Sequence, residues 1–451
     1  MADIASGLLA AKPEVASLTI AGFSLKSILA TFFLATFLFE RYISVRQIRM
    51  TRIKKRPAIL NGIVDDDEKF LKTQDYSYDK LVFGFVTSTL EMFKSMVFFH
   101  FDLLKATWDL SAHLLEAYGP ASLAGNQLAI SLILQNILFL SETLLELPQS
   151  LYYNFVIEER YGFNKQTLRL FATDQVKNLF ISMIIQTAII LPIIYLIGWG
   201  GERFYLWVYF FLLAFQLVFL NIYPTLIQPL FNKYEPLPEG PLRDTIYKLA
   251  KKISFPLTAI YTVDGSKRSG HANAYFYGFF NNKRIVIYDT LIKSLELPEV
   301  EAVMAHELGH WYHSHNLKNM AIQQVSTFSM MYAFSFFVFN RSLYSSFGFH
   351  VPADQELPYL VGLTLFLQCW SALNLAMKLL MNMVSRSFEF QADAFACGLG
   401  YGKVLRSGLL KMQLENMSQM LPDSLYSLYN YTHPPMLERI SAIDKLLQKK
   451  D

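Results

Sequence analysis

Seven runs of roughly twenty apolar positions punctuate this chain, at 18–39, 81–101, 127–147, 179–199, 205–223, 320–339 and 359–381. About 20 apolar residues in a helix cross the hydrocarbon core of a bilayer, so each run predicts a transmembrane helix. The first is too long for the apolar core of a signal peptide and lacks a small-residue cleavage site, so it reads as a retained anchor.

Polar positions inside the runs are few and specific: Glu91 and Lys94 in the second, Gln135, Asn136, Glu142 and Glu146 in the third, Gln368, Asn374 and Lys378 in the seventh. Such groups either face a bundle interior or a water-filled cavity, or snorkel from the span ends to the interface. The stretch 224–319 has a different rhythm. "TAIYTV" (258–263), "NAYFYGF" (273–279) and "RIVIYDTL" (284–291) are rich in β-branched and aromatic residues and predict strands, with "NN" at 281–282 as a hairpin turn. A helix follows, with Pro298 in its first turn and Glu299 and Glu301 at the positive end of its dipole.

Composition supports the membrane reading. Hydrophobic residues make up 53% of the 451 positions and the mean hydropathy is +0.27, above the roughly 45–50% apolar share of soluble domains. A net charge of +3 argues against a nucleic-acid partner. Cys369 and Cys397, the only cysteines, suggest no disulfide framework. Charge distribution orients the chain: Arg41, Arg46, Arg49, Arg52, Lys54, Lys55 and Arg56 lie between the first two runs, a cytoplasmic signature that places the N terminus in the lumen. Segments 148–178, 224–319 and everything after 381 then fall on the cytoplasmic side.

"HELGH" (306–310) carries the chemistry. On a helix His306 and His310 lie one turn apart and can reach one zinc ion, with Glu307 placed to act on water. A third ligand must come from elsewhere. A straight helix cannot bring His313 onto the same ion, and His313 and His315 read as exposed histidines. The strongest candidate is "FEFQADAFA" (388–396), where Glu389 could bind zinc and Asp393, one turn on, could orient a ligand histidine.

These motifs, with "VDGSKRSGHANAYFYG" (263–278), "KRIVIYDTL" (283–291), "FVIEERYGFN" (155–164) and "THPPMLERI" (432–440), resemble those of the zinc-dependent CAAX prenyl proteases, and most closely the fungal a-factor-converting members. The resemblance runs from the first span to the C terminus. It implies a multi-pass α-helical membrane protein whose seven transmembrane helices form a barrel around a water-filled chamber, with a cytoplasmic zincin-like α/β metalloprotease domain. The parts would be helices 1–5 with their loops (1–223), the segment carrying the zinc helix (224–319), helices 6–7 (320–384) and a C-terminal part of the protease domain (385–451).

By motif, His306, His310 and Glu389 would bind one Zn²⁺ per chain, Glu307 would be the catalytic base and Asp393 would support a ligand. His433 and Arg439 match positions near the scissile carbonyl, and Asn273 and Ala274 match an edge strand that pairs with substrate backbone. The implied substrate is a prenylated protein or peptide ending in CAAX, cut to release its last three residues, with a further upstream cut in a mating-pheromone precursor. The implied location is the endoplasmic reticulum membrane, with the inner nuclear membrane as a second site. One alternative is a seven-helix transporter or receptor with a structural metal site, which would usually need four protein ligands. An intramembrane protease would need "LPEVEAVMAHELGHWYHSHNLKN" to cross lipid, and that segment is too polar.

Overall fold

The computed structural model describes residues 19–20, 22–64, 66–278 and 282–449. Among them, five helical stretches are long and apolar enough to cross a membrane: Leu25–Thr51, Asp67–His100, Gln127–Glu158, Leu168–Leu230 and Tyr359–Gly398. The first is α1 and the second α2, followed by α3 (Leu103–Tyr118) and α4 (Gln127–Tyr152), which loosens into a π-turn over Tyr153–Glu158. The 63-residue fourth stretch contains two helices, α5 (Leu168–Gly200) and α6 (Phe204–Ile222), packed against each other across the turn Gly201–Arg203. Gly201, at φ 54°, makes that reversal possible without strain.

Several helices outrun the apolar segments that predict them. The start of run 18–39 lies outside the described residues; α1 begins at Leu25, where Ser24 Oγ accepts from Ser27 N–H. It continues to Thr51 because no Gly or Pro interrupts it. Arg41, Arg46 and Arg49 are therefore helical, not in a loop, and Arg46 forks onto Asp423 at 2.9 and 3.0 Å. The stretch 102–126, between the second and third apolar runs, contains α3, whose Leu104, Trp108 and Leu115 pack in one core with Ile130 and Leu134 of α4. Inside the bundle, polar groups find one another: Lys94 bonds Glu142 at 2.6 Å and Gln135 bonds Gln186 at 2.7 Å.

A four-stranded sheet follows, made of β1 (Tyr234–Pro236), β2 (Leu257–Val263), β3 (Ala274–Tyr277) and β4 (Lys283–Tyr288), in the order β1-β2-β4-β3. Helix α7 (Pro241–Lys252) lies between β1 and β2 in the chain. Strands β2 and β4 pair in parallel and the outer pairs are antiparallel. The three expected strands form within a few residues of their predicted ends. The tail "DTL" turns instead into α8 (Asp289–Ser294), with Asp289 at the positive end of its dipole, where its Oδ1 also accepts from Ser266 N–H at 2.9 Å. The turn expected at 281–282 includes Asn281, outside the described residues.

On this sheet rests α9 (Leu297–Tyr312), opened by a capping box in which Glu296 and Glu299 bond each other's backbone. Its Ala302, Val303, Ala305 and Leu308 share a core with Ile285 and Ile287 of β4 and Ile246 of α7. Next come α10 (His315–Ser335), packed along α6, and the short α11 (Arg341–Ser345). Run 320–339 falls largely on α10, which is not among the five apolar stretches; Gln324 there bonds Gln216 of α6 at 2.5 Å.

The chain then enters α12, a single 40-residue helix from Tyr359 to Gly398, about 60 Å long. It joins the seventh apolar run to "FEFQADAFA" without a break. Gly309 lets α12 approach α9: a β-carbon there would lie 3.1 Å from Ala392 Cα and 3.2 Å from Ala392 O. The C-terminal helices α13 (Gly402–Glu415), α14 (Ser424–Asn430) and α15 (Met436–Gln448) pack around the far part of α12.

Candidate metal centre

Helices α9 and α12 bring three donors together. One atom each of His306, His310 and Glu389 lies within 4.8 Å of the others. His306 Nε2 is 3.5 Å from Glu389 Oε2, His310 Nε2 is 3.4 Å from Glu389 Oε1, and the two imidazole Nε2 atoms are 3.3 Å apart. Helical periodicity sets the histidine pair; the close approach at Gly309 sets the third member. Glu389 Oε2 is buried and accepts no hydrogen bond. Two imidazole nitrogens and one carboxylate, whose buried Oε2 accepts no hydrogen bond, fit a divalent cation of the zinc type, and these three residues could hold it.

The rest of the cluster orients the donors. His306 Nδ1 lies 2.9 Å from Asp393 Oδ1, which directs its Nε2 toward Glu389. Arg439 of α15 is buried and grips both Asp393 oxygens at 2.7 and 2.9 Å, with its third nitrogen 3.5 Å from Glu389 Oε2. Burial alone would favour neutral His306, but Asp393 and Glu389 outweigh it and raise its pKa to about 9 before any metal binds. Glu307 follows on the same helix. Burial pushes its pKa up, against the attraction of His306 and His310.

His433 sits in the loop before α15, largely exposed, with Nε2 3.1 Å from Glu389 Oε1 and Nδ1 3.0 Å from Thr432 Oγ1. Strand β3 is a free edge of the sheet. Asn273 O accepts from Tyr288 N–H across the ladder, so the peptide groups of Ala274 turn to the open side, where Asn273 Oδ1 caps the Ala274 N–H at 2.8 Å.

Two groupings depart from the sequence reading. His315, expected to be exposed, is buried at 1% exposure, stacked on Phe388 at 4.0 Å. Its Nδ1 is 3.0 Å from His310 Nδ1 and its Nε2 is 3.2 Å from Gln391 Oε1. With the His310 proton on Nδ1, a donor chain runs from His310 through His315 to Gln391 and leaves His310 Nε2 free for a cation. His313, also expected to be exposed, is half-buried against His315 and Phe395. The second grouping gives "FVIEERYGFN" a structural role. Glu158 accepts from Tyr76 of α2 at 2.5 Å and lies 3.2 Å from Nε2 of His271, whose ring stacks on Phe163. That junction ties α2 and α4 to the segment leading into β3. Nothing local in sequence marks it, because its members lie 82 and 113 positions apart.

Known proteins are similar to this chain over most of its length. Residues 47–233 match the family described as CAAX prenyl protease N-terminal, five membrane helices, and residues 236–447 match peptidase family M48. The chain is 42% identical over 424 residues to CAAX prenyl protease 1 homolog of Arabidopsis thaliana, covering 93% of this chain and 97% of that one. It is 37% identical over 445 residues to CAAX prenyl protease 1 of Saccharomyces cerevisiae, covering 94% and 96%. Its fold is similar to the crystal structure of Ste24p from S. mikatae, with a TM-score of 0.88 and 35% identity over 94% of this chain and 99% of that one.

Proposed function

As a member of the CAAX prenyl proteases of peptidase family M48, this chain is a membrane zinc metalloendopeptidase, and we propose that it removes the C-terminal tripeptide from prenylated CAAX proteins. The observation that carries the reading is the convergence of His306, His310 and Glu389 around an unsatisfied buried carboxylate oxygen, beside Glu307. The transporter or receptor alternative has no support: only three such donors meet here among the described residues, and Glu307 is spare.

In this reading His306, His310 and Glu389 hold the metal. Zinc, when bound, polarises the scissile carbonyl and acidifies water. Glu307 takes the proton from the attacking water and returns it to the leaving amine, and the burial that raises its pKa strengthens it as a base. His433 donates a hydrogen bond to the developing oxyanion, helped by the Asn273 amide, an interaction worth about 3–4 kcal/mol in other proteases. Substrate backbone pairs with the open side of β3 at Ala274. Asp393 and Arg439 hold His306 and the Glu389 carboxylate in register from behind; Arg439, expected from sequence to meet the substrate near the scissile carbonyl, has its guanidinium committed to Asp393 instead.

We infer seven crossings, by α1, α2, α4, α5, α6, α10 and α12, with the N terminus lumenal and the metal centre on the cytoplasmic side. The basic residues of α1 support that orientation. The parts are then 1–223, 224–319, 320–384 and 385–451 as read from sequence. The endoplasmic reticulum and inner nuclear membranes suit a prenylated substrate, which each buried CH₂ draws toward lipid by about 0.8 kcal/mol. A further upstream cut in a mating-pheromone precursor belongs to the same reading.

The test compares a farnesylated CAAX peptide with its unprenylated twin, with zinc removed and restored. Release of tripeptide that Glu307→Gln abolishes while zinc stays bound supports the assignment. Equal cleavage of both peptides removes prenyl specificity, and full turnover by the variant removes Glu307 as base.

A further inference from the structure

Next to His433 an open cleft of about 530 Å³ lies between α1, α2 and the C-terminal helices, inside the roughly 300–1,000 Å³ range of ligand pockets. Because His433 lines it and stands 3.1 Å from Glu389, the cavity adjoins the metal centre. Its wall is chemically one-sided. The lining contains hydroxyl and amide groups, such as Ser77 and Gln413, and apolar surface from Leu81, Met417 and Met436, but no carboxylate. Lys80 of α2 is the one lysine or arginine in that lining.

Among the described residues Lys80 forms no ion pair with a carboxylate at contact distance. Its ammonium lies 4.6 Å from the centre of the Tyr76 ring. The nearby carboxylates are engaged by others: Asp79 by Arg160 and Tyr161, Glu158 by Tyr76 and His271. A lone cation in an otherwise uncharged, half-apolar cavity selects a small amphiphilic anion.

The leaving group of the proposed reaction has that chemistry. A CAAX tripeptide is aliphatic over two residues, offers amide groups, and ends in a free α-carboxylate. Extended, it spans about 10 Å from scissile bond to chain end. We propose that this cavity receives the departing tripeptide and that Lys80 binds its terminal carboxylate. The proposal rests on the reading of the reaction as tripeptide release, and it adds a residue that selects for a chain terminus.

The experiment uses the full-length zinc enzyme in detergent and two farnesylated CAAX peptides, one with a free C-terminal carboxylate and one ending in a carboxamide. The free acid should show a kcat/KM about tenfold or more above the amide, the usual size of a charge-assisted hydrogen bond. The difference should lie in KM. In Lys80→Met the ratio of acid to amide should collapse to about one, and Lys80→Arg should restore most of it. Independently of any variant, the free tripeptide should inhibit the wild-type enzyme more strongly than its amide. Equal use of acid and amide by the wild type, or an unchanged ratio in Lys80→Met, overturns the proposal while leaving the protease assignment standing. Cleavage of neither peptide would instead overturn the assignment itself.

Discussion

Asp393 Oδ1 stands 2.9 Å from His306 Nδ1, one helical turn beyond Glu389 on the same helix. One stretch of α12 thus supplies both a candidate metal donor and the group positioned to aim another. Asp393→Asn should keep the fold and lower zinc affinity by about 10–100-fold, the usual effect of losing such a partner. Chelator competition measures this; unchanged affinity would show that Arg439 and packing alone orient His306.

The raised pKa of His306, about 9 before metal binds, means that the site carries a proton that zinc must expel. Apparent zinc affinity should therefore climb about tenfold per pH unit from pH 7 and level off near pH 9. Without metal the sign reverses: the His306 contribution to stability is full below its unfolded pKa near 6.5 and is lost as pH rises through about 9. Zinc titration at pH 7, 8 and 9, with melting curves of metal-free protein, checks both; a flat zinc profile would contradict the first.

At Gly309 an added methyl would meet the Ala392 backbone and the Phe395 ring at 3.1–3.2 Å. Gly309→Ala should push α9 away from α12, costing about 1–3 kcal/mol and weakening zinc binding, since the two helices carry opposite halves of the donor set. Thermal unfolding and metal content, measured together, distinguish this from a purely local clash, which would lower stability and leave zinc in place.

Glu299 is buried at the start of α9. Burial pushes its pKa up, yet hydrogen bonds from Glu296 N–H, Ser407 and Lys411 bring it below the ordinary value. Its stabilisation is present above the unfolded carboxylate pKa of about 4.3 and is lost as pH falls through the folded value. Glu299→Gln should therefore destabilise by about 1–3 kcal/mol near neutrality, with the gap to wild type closing below about pH 4. Melting curves across that range measure it.

The cluster of candidate metal donors was legible because their spacing is local. His306 and His310 need only helical periodicity, and Glu389 with Asp393 repeats it. His315 was not: its partners Phe388 and Gln391 lie over seventy positions away, so sequence gives an isolated polar residue the look of a surface one. Apolar runs likewise locate crossings without fixing where helices stop. Helix α1 continues through seven more helix-tolerant positions past Ser44, to Thr51, because termination is a property of breakers, not of hydropathy. The short strand β1, three residues ending in Pro236, carries too little pattern to be seen before its antiparallel pairing with β2 is known.

Because α12 is unbroken from Tyr359 to Gly398, the carboxylate at 389 is mounted on the end of a rod embedded in lipid. Its far part is clasped by α9 at Gly309 and by the C-terminal helices. The apolar run and that carboxylate thus share one continuous element, so whatever fixes the depth of the first also fixes the place of the second.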